Sequence, residues 1–147
     1  MTVNYEPFGV YVVVEVDDRI VVVNDNKSIH LPFDYGIRGD TPQKCAKRII
    51  GSITSEAHFF IKSLPFVKRK AIDTIPEKIK KGWPGGCFTI PIYAFSCTLS
   101  IQLDSLSSNY LLKKKESLKN GFTGLESQVI NTLSEYNTLN EKVNATL

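Results

Sequence analysis

The stretch of sequence that decides the fold runs from Leu31 to Ser55 and reads LPFDYGIRGDTPQKCAKRIIGSITS. Its first part, with Gly36 and Gly39, is expected to be a loop. Thr41 followed by Pro42 predicts the start of a helix, because threonine caps a helix well and proline fits its first position. Apolar residues then recur at helical spacing and predict one buried stripe, made of Cys45, Ala46, Ile49, Ile50 and Ile53. We therefore predict a loop followed by a helix that packs against a sheet.

Upstream of this stretch, the sequence predicts a β-hairpin. Val10 to Val16 and Ile20 to Val23 are rich in β-branched residues and flank the turn Asp17-Asp18-Arg19. Both runs are almost continuously apolar, which predicts strands that are buried on both faces of a sheet. A short extended piece is expected at Ser28 to Leu31.

Downstream, the region from His58 to Lys81 is ambiguous, whereas Cys87 to Leu103 is the strongest later strand prediction. Pro91 within it requires an edge position or a bulge. A C-terminal helix is predicted at about 125–143, where five apolar residues recur every few positions: Leu125, Val129, Leu133, Tyr136 and Val143. Core packing and contact with a partner both remain open for this stripe. The order of elements predicts an α/β (α+β) fold, in which a mixed β-sheet is sandwiched between helices.

Composition sets the class of protein. The 147 residues fit a single domain spanning 1–147, with 42% hydrophobic and 22% charged residues, and no apolar run is long enough for a membrane helix.

Three widely spaced cysteines (Cys45, Cys87 and Cys97) predict buried thiols in a reducing compartment. The first residues lack the features of a signal peptide, so an intracellular protein is expected. The two histidines, His30 and His58, have no partner at metal-ligand spacing, and no metal or cofactor is expected.

Basic residues are clustered although the net charge is only +3. Half of the eighteen Lys and Arg residues lie in three short groups: Lys68, Arg69 and Lys70; Lys78, Lys80 and Lys81; and Lys113, Lys114 and Lys115. Such groups either hold an anionic partner or form solvated faces. Both interpretations stay open for each group.

The stretch from Leu31 to Ser55 resembles a Nudix box. Gly39-Asp40-Thr41-Pro42 is similar to the GETP of that motif, and Arg48 falls on its arginine. In active members, glutamates on one face of the helix hold divalent cations that bind a diphosphate and activate water. Three residues without a carboxylate stand at those positions here: Ile49, Ser52 and Ile53. The resemblance therefore implies a Nudix-like fold without catalytic activity, and we expect that the protein is not an enzyme.

Among degenerate Nudix proteins, the chain most resembles the small subunit of pre-mRNA cleavage factor I. The resemblance rests on FGVYVVVEVDDRIVVV in the hairpin, on LPFDYGIRGD and AKRII in the altered box, and on GFTGLESQVINTLSEYN in the terminal helix. It implies a homodimer in the nucleus that binds single-stranded RNA in the former substrate cleft and recruits a larger partner for mRNA 3′-end processing and polyadenylation. Ser28 falls where that family has a stacking aromatic residue, so none of its RNA-reading residues is transferred to this chain.

The residues themselves suggest other contacts for RNA or a nucleotide. Tyr35 and Arg38 lie in the box loop and could supply a stacking ring and a phosphate contact. Trp83 could serve as a second aromatic platform for a base. The candidate basic contacts are Lys68, Arg69, Lys70, Lys78, Lys80 and Lys81. The favoured function is an RNA-binding and protein-interaction subunit of a ribonucleoprotein assembly. Three alternatives remain open: a cytoplasmic factor bound to ribosomal RNA, a nucleotide-binding sensor that uses the cleft without hydrolysis, and an interaction domain that docks through its terminal helix.

Overall fold

The computed structural model describes residues 7–23, 28–36, 39–55, 59–80, 89–100, 106–118 and 121–146, with the side chains of residues 80 and 140–146 left out. Several residues singled out in the sequence lie outside this description: Arg38, His58, Lys81, Trp83, Cys87 and the side chains of Lys80 and Val143. The described elements are β1 (Gly9–Val16), β2 (Arg19–Val23), β3 (Phe33–Tyr35), α1 (Pro42–Ile53), β4 (Ile61–Ala71), α2 (Glu77–Lys80), β5 (Thr89–Thr98), β6 (Tyr110–Lys114) and α3 (Gly124–Thr146).

The strands form one mixed sheet in the order β4-β5-β1-β2-β6, with β3 paired to β1. Strands β1 and β5 run parallel, and all other pairs are antiparallel. The first part of β1 pairs with β3 and its last residues pair with β2, so that β1 lies at the centre of the fold. The predicted mixed sheet with helices on both faces is confirmed.

The hairpin and its two buried faces are also confirmed. Strands β1 and β2 meet at Glu15↔Ile20 and Val16↔Arg19, across a turn in which Asp17 has a positive φ of 55°. On β1, Val12 and Val14 join the core beneath α1, whereas Val13 between them joins the core beneath α3. Alternate side chains of one strand thus enter opposite cores, which explains why the sequence is apolar at nearly every position.

Helix α1 begins as the sequence predicts. The Thr41 hydroxyl accepts a hydrogen bond from the backbone amide of Lys44 at 3.2 Å, and Pro42 is the first helical residue. All five residues of the predicted apolar stripe are buried against the sheet: Cys45, Ala46, Ile49, Ile50 and Ile53. Gly39 precedes the helix with a φ of +86°, a conformation that favours glycine.

Four strand assignments differ from the predictions or extend them. The extended piece expected at Ser28 to Leu31 is not a strand, and β3 forms at Phe33–Tyr35 inside the predicted loop. Strand β4 occupies the ambiguous region, with Pro65 in an irregularity of its register between Ser63 and Val67. The edge position or bulge expected for Pro91 is wrong, because β5 lies between β4 and β1 and Pro91 pairs in register with Arg69 of β4. Pro91 lies one residue before the pairing with β1 begins, so its missing N–H costs that ladder nothing. The short strand β6 was not predicted.

The terminal helix packs on the sheet face opposite α1. Val129 and Leu133 of α3 are buried in a second core with residues of β1, β2, β5 and the edge strand β4, including Val13, Ile20, Ile92 and Phe66. The described part of the predicted stripe therefore packs into the core. In the part of the chain that the structure describes, no helix is long and apolar enough to cross a membrane.

Candidate functional site

The loop before α1 is held to the helix by Arg48. Its Nη1 atom donates a hydrogen bond to Asp40 Oδ2 at 2.5 Å, and Nη2 donates to the backbone carbonyl of Tyr35 at 3.2 Å. The carboxylate of Asp34 lies 3.7 Å from the same guanidinium. Asp40 is buried, with 8% of its surface exposed. The residues that resemble the box glutamate and the box arginine therefore form an ion pair that fixes the loop.

The helix positions that correspond to metal ligands have another role in this chain. Ile49 and Ile53 are buried in the core beneath α1. Ser52 Oγ donates to the carbonyl of Ile49 at 2.6 Å and lies 3.2 Å from the Tyr110 hydroxyl. These side chains do not fit the divalent cations that box glutamates hold. Across the described ranges, no group of three or more His, Cys, Asp or Glu residues could hold a metal ion.

An aromatic surface lies on the α3 side of the sheet, where β1 and β3 pair. We call it the aromatic floor, and it consists of Gly9, Tyr11, Phe33 and Tyr35. The cross-strand pairs are Gly9↔Tyr35 and Tyr11↔Phe33. The ring centroids of Tyr11 and Phe33 are 4.5 Å apart, and those of Phe33 and Tyr35 are 4.9 Å apart with perpendicular planes. All three rings are partly exposed.

Gly9 makes this arrangement possible. A Cβ atom at Gly9 would lie 2.5 Å from the Phe33 ring and 2.8 Å from Ile92 Cδ1, which is closer than side chains tolerate. Because glycine carries no side chain, the Phe33 ring can lie directly against the β1 backbone.

Lys70 of β4 supplies a positive charge beside the floor. Its Nζ atom lies 3.2 Å from the Tyr35 hydroxyl and 5.7 Å from the centroids of both the Phe33 and the Tyr35 rings. This is the geometry of a cation–π contact, so the lysine is held over the rings. Burial raises the pKa of the nearby Tyr11 phenol to about 12, and the charges of Glu126 and Tyr35 add to the rise. Tyr11 is therefore a neutral hydroxyl at neutral pH.

The structure brings together two of the predicted contact residues, Tyr35 and Lys70. Arg69 donates hydrogen bonds to the Thr89 hydroxyl at 2.9 Å and to its carbonyl at 3.2 Å, away from the floor. Lys68 instead lines a groove between β4 and α3, and Lys78 is exposed on α2. The remaining predicted contacts lie outside the described residues: Arg38, Lys81, Trp83 and the side chain of Lys80.

Sequence reasoning missed Gly9, Tyr11 and Phe33. The available signal was their spacing: Gly9 and Tyr11 are two residues apart in β1, which places both on one face of the strand. The third basic group lies elsewhere: Lys115 pairs with Glu15, near the other end of β1, at 2.5 Å.

No protein-family model and no curated protein matches this sequence. Solved structures do resemble the fold. One is a putative Nudix hydrolase of Listeria monocytogenes, with a TM-score of 0.71 and 16% identity over 92% of this chain and 97% of that one. Another is the dihydroneopterin triphosphate pyrophosphohydrolase of E. coli, with a TM-score of 0.61 and 11% identity over 84% and 91%. A third is the Nudix domain of Shewanella oneidensis NrtR in complex with ADP ribose, with a TM-score of 0.60 and 11% identity over 90% and 88%.

At these identities the likeness shows the fold, and this chain has the Nudix fold. The expectation that the protein is not an enzyme is wrong in the light of these comparisons. Structures that share the fold over most of both chains are named hydrolases, including those from Listeria monocytogenes and E. coli. Ile49, Ser52 and Ile53 stand where the metal-binding glutamates of the box would be.

Proposed function

We propose that this protein binds a nucleotide unit at the aromatic floor, with the base on the aromatic rings and a phosphate at Lys70. One observation carries the proposal. The Lys70 ammonium lies 3.2 Å from the Tyr35 hydroxyl and 5.7 Å from the centroids of two partly exposed rings, so aromatic rings and a cation occupy the same small surface. A nucleotide has the complementary pair of groups, a flat base and an anion.

The free energies expected for these two contacts are large enough to contribute to nucleotide binding. Stacking of a base on an aromatic side chain contributes about 1–3 kcal/mol, and it is tolerant of base identity. A lysine that contacts a phosphate adds an electrostatic contribution that weakens as salt increases. Together the two contacts favour recognition of nucleotides as a class, without selection of one base.

The names of the similar structures support the same class of ligand. The NrtR domain was solved with ADP ribose, and the E. coli protein is named for a triphosphate substrate. Both ligands combine a planar ring system with phosphates. Whether this chain also cleaves the bound molecule is a separate measurement, namely the release of phosphate or mononucleotide in the presence of Mg²⁺.

Single-stranded RNA is the second candidate ligand, and the position of Lys68 favours it. Lys68 and Lys70 lie two residues apart on β4, and Lys68 lines a polar groove with Gln128, Asn131 and Thr132 of α3. An RNA strand with one base on the aromatic floor could therefore place a second phosphate near Lys68. On this basis the chain would act as an RNA-binding subunit of a ribonucleoprotein assembly, as the resemblance to the cleavage factor subunit implies, with a protein partner or a second copy beside it.

The test compares ligands and variants. Thermal shifts with ADP ribose and with nucleoside di- and triphosphates, and filter binding of a short single-stranded RNA, are measured for the wild type, Lys70→Met and Lys62→Met. Lys62 is an exposed lysine on the same strand, away from the floor, and serves as the control. We expect Lys70→Met to weaken binding by about tenfold, through loss of the phosphate contact, and Lys62→Met to leave it unchanged.

The ligand that binds decides between the two candidates. Binding of nucleotides without RNA supports the first, and salt-dependent binding of RNA alone supports the second. If the wild type binds neither, or if both lysine variants behave alike, the aromatic floor is not the binding site and the proposal is wrong.

A further inference from the structure

A second cluster of reactive side chains lies outside the box and the aromatic floor. Ser28 Oγ is 2.6 Å from Nε2 of His30, and Nδ1 of His30 is 2.8 Å from Oε1 of Glu126. Ser28 and His30 precede β3, and Glu126 comes from the first turn of α3, 96 residues further along the chain than His30. A hydroxyl, an imidazole and a carboxylate are thus connected in series by two short hydrogen bonds.

The partners of the imidazole determine its tautomer. An ionised carboxylate can only accept hydrogen bonds, so Nδ1 of His30 carries the proton that points to Glu126. In a neutral imidazole, Nε2 is then the acceptor and the Ser28 hydroxyl is the donor. This is the tautomer that a general base needs if it is to remove a proton from a serine.

Glu126 is itself held in place. Its second oxygen, Oε2, accepts a hydrogen bond from the backbone amide of Leu31 at 2.6 Å, and only 15% of its side chain is exposed. The His30 side chain is 47% exposed, and Ser28 is exposed as well. The Glu126 carboxylate is therefore held in place by the fold, whereas the Ser28 hydroxyl, to which it is connected through His30, is accessible from solution.

We propose that Ser28 is a nucleophile activated by His30 and Glu126 and that it reacts with small carboxylic esters. Ser28 Oγ attacks the ester carbonyl carbon as His30 Nε2 takes the hydroxyl proton. The C–O bond to the alcohol then breaks, and the proton passes from His30 to the departing alkoxide, which leaves an acylated Ser28. Water then loses a proton to His30 Nε2 as its oxygen attacks the acyl carbon, the bond from that carbon to Ser28 Oγ breaks, and His30 returns the proton to Ser28 Oγ as the carboxylic acid leaves. Glu126 positions the imidazole and stabilises its positive charge, and it is not consumed.

This proposal is independent of nucleotide binding at the aromatic floor. It uses none of Tyr35, Lys70 or Phe33, and it involves carbon–oxygen bonds, not phosphorus–oxygen bonds. The backbone at residue 30 should keep its position when the histidine is replaced, because its contact with β2 is made by backbone atoms: the His30 carbonyl accepts a hydrogen bond from the Val23 amide at 2.8 Å. His30→Ala is therefore expected to fold.

The test uses a fluorophosphonate probe and p-nitrophenyl acetate. The fluorophosphonate phosphonylates an activated serine as fluoride leaves, and tandem mass spectrometry identifies the labelled residue. The variants are Ser28→Ala, His30→Ala and Glu126→Gln, with Ser63→Ala, an exposed serine on β4, as the control. Circular dichroism checks the fold of each variant, and His30→Ala carries the test if Glu126→Gln does not fold.

We expect the wild type and Ser63→Ala to be labelled on Ser28, and Ser28→Ala to remain unlabelled. His30→Ala should lower the rates of labelling and of ester cleavage by about a hundredfold, and free imidazole should restore part of the loss. No label on wild-type Ser28 overturns the proposal, as does label only on other residues. Labelling of Ser28 at an unchanged rate in His30→Ala also overturns it.

Discussion

At the residue scale, the ion pair of Arg48 and Asp40 links the box loop to helix α1. The guanidinium donates one hydrogen bond to a buried carboxylate and another to the carbonyl of Tyr35. Tyr35 belongs to the aromatic floor, so the same arginine also holds one edge of the proposed binding site. Arg48, which falls on the box arginine, thus has a structural role here.

Removal of this arginine should destabilise the fold. Arg48→Met keeps much of the aliphatic stem but removes the guanidinium that donates to Asp40, of which only 8% is exposed. We expect a loss of about 1–2 kcal/mol in the free energy of unfolding, the lower part of the range for a charged hydrogen bond, because the arginine is partly exposed. Urea unfolding followed by circular dichroism measures it.

The neighbouring residue gives a matched control. Lys47 is exposed on the outer side of the same helix, and Lys47→Met should change the stability by less than about 0.5 kcal/mol. Equal effects of the two substitutions would show that the ion pair contributes nothing specific.

Which of these residues the sequence could predict depends on how local their interactions are. The cap at Thr41 and the stripe from Cys45 to Ile53 follow from contacts within a few residues, and the structure confirms both. The contact of Lys70 with Tyr35 joins residues 35 positions apart. It exists only because β4, β5, β1 and β3 lie side by side, and no local pattern contains that order.

At the scale of elements, helix α1 contains a glycine with no structural reason to be glycine. Gly51 is exposed in the helix, and a Cβ atom there would have no neighbour within 4 Å. We expect Gly51→Ala to stabilise the protein by about 0.5–1 kcal/mol, since alanine loses less backbone entropy on folding than glycine does. Thermal or urea unfolding measures the change.

Gly39, just before the same helix, provides the contrast. Its φ of +86° is strained for any residue with a side chain, so Gly39→Ala should lower the stability, although the space around it is equally open. A loss of stability in both variants would mean that Gly51 is required for a reason other than helix propensity.

The strands that the sequence did not predict, β3 and β6, are short and owe their conformation to their neighbours. Strand β3 has three residues and pairs with β1, and β6 includes Lys113 and Lys114, a basic group for which we predicted no strand. An edge strand next to β2 can carry lysines, because one of its sides faces water. Strand propensity depends on such surroundings more than helix propensity does.

At the scale of the whole molecule, the central sheet separates two apolar cores that contain groups able to ionise at high pH. Cys45 and Cys97 are free and buried beneath α1, and Tyr11 packs against the core beneath α3. Burial raises the pKa of Cys45 from 9.0 to about 12 and that of Cys97 from 9.0 to about 11. The thiolate is the reactive form of cysteine, so both thiols should be inert near neutral pH.

These shifts predict that the fold loses stability in alkali. In the unfolded chain the thiols ionise near 9.0, whereas in the folded chain they stay protonated until the pH is about 11 to 12. Their contribution to stability is therefore complete below pH 9 and is lost as the pH rises through this window. The unfolding free energy should fall by up to about 1.4 kcal/mol per pH unit for each group.

The contribution of Cys45 can be isolated by comparing slopes. Cys45→Ala lowers the stability at every pH, because it leaves a cavity in the core, but it also removes one titrating group. Urea unfolding at intervals from pH 7 to pH 11 should therefore give a shallower alkaline decline for the variant than for the wild type. Lysines and exposed tyrosines titrate alike in both chains, so the difference between the slopes reports on the thiol alone. Parallel curves would show that Cys45 ionises in the folded protein as easily as in the unfolded chain, and that the core beneath α1 is open to water.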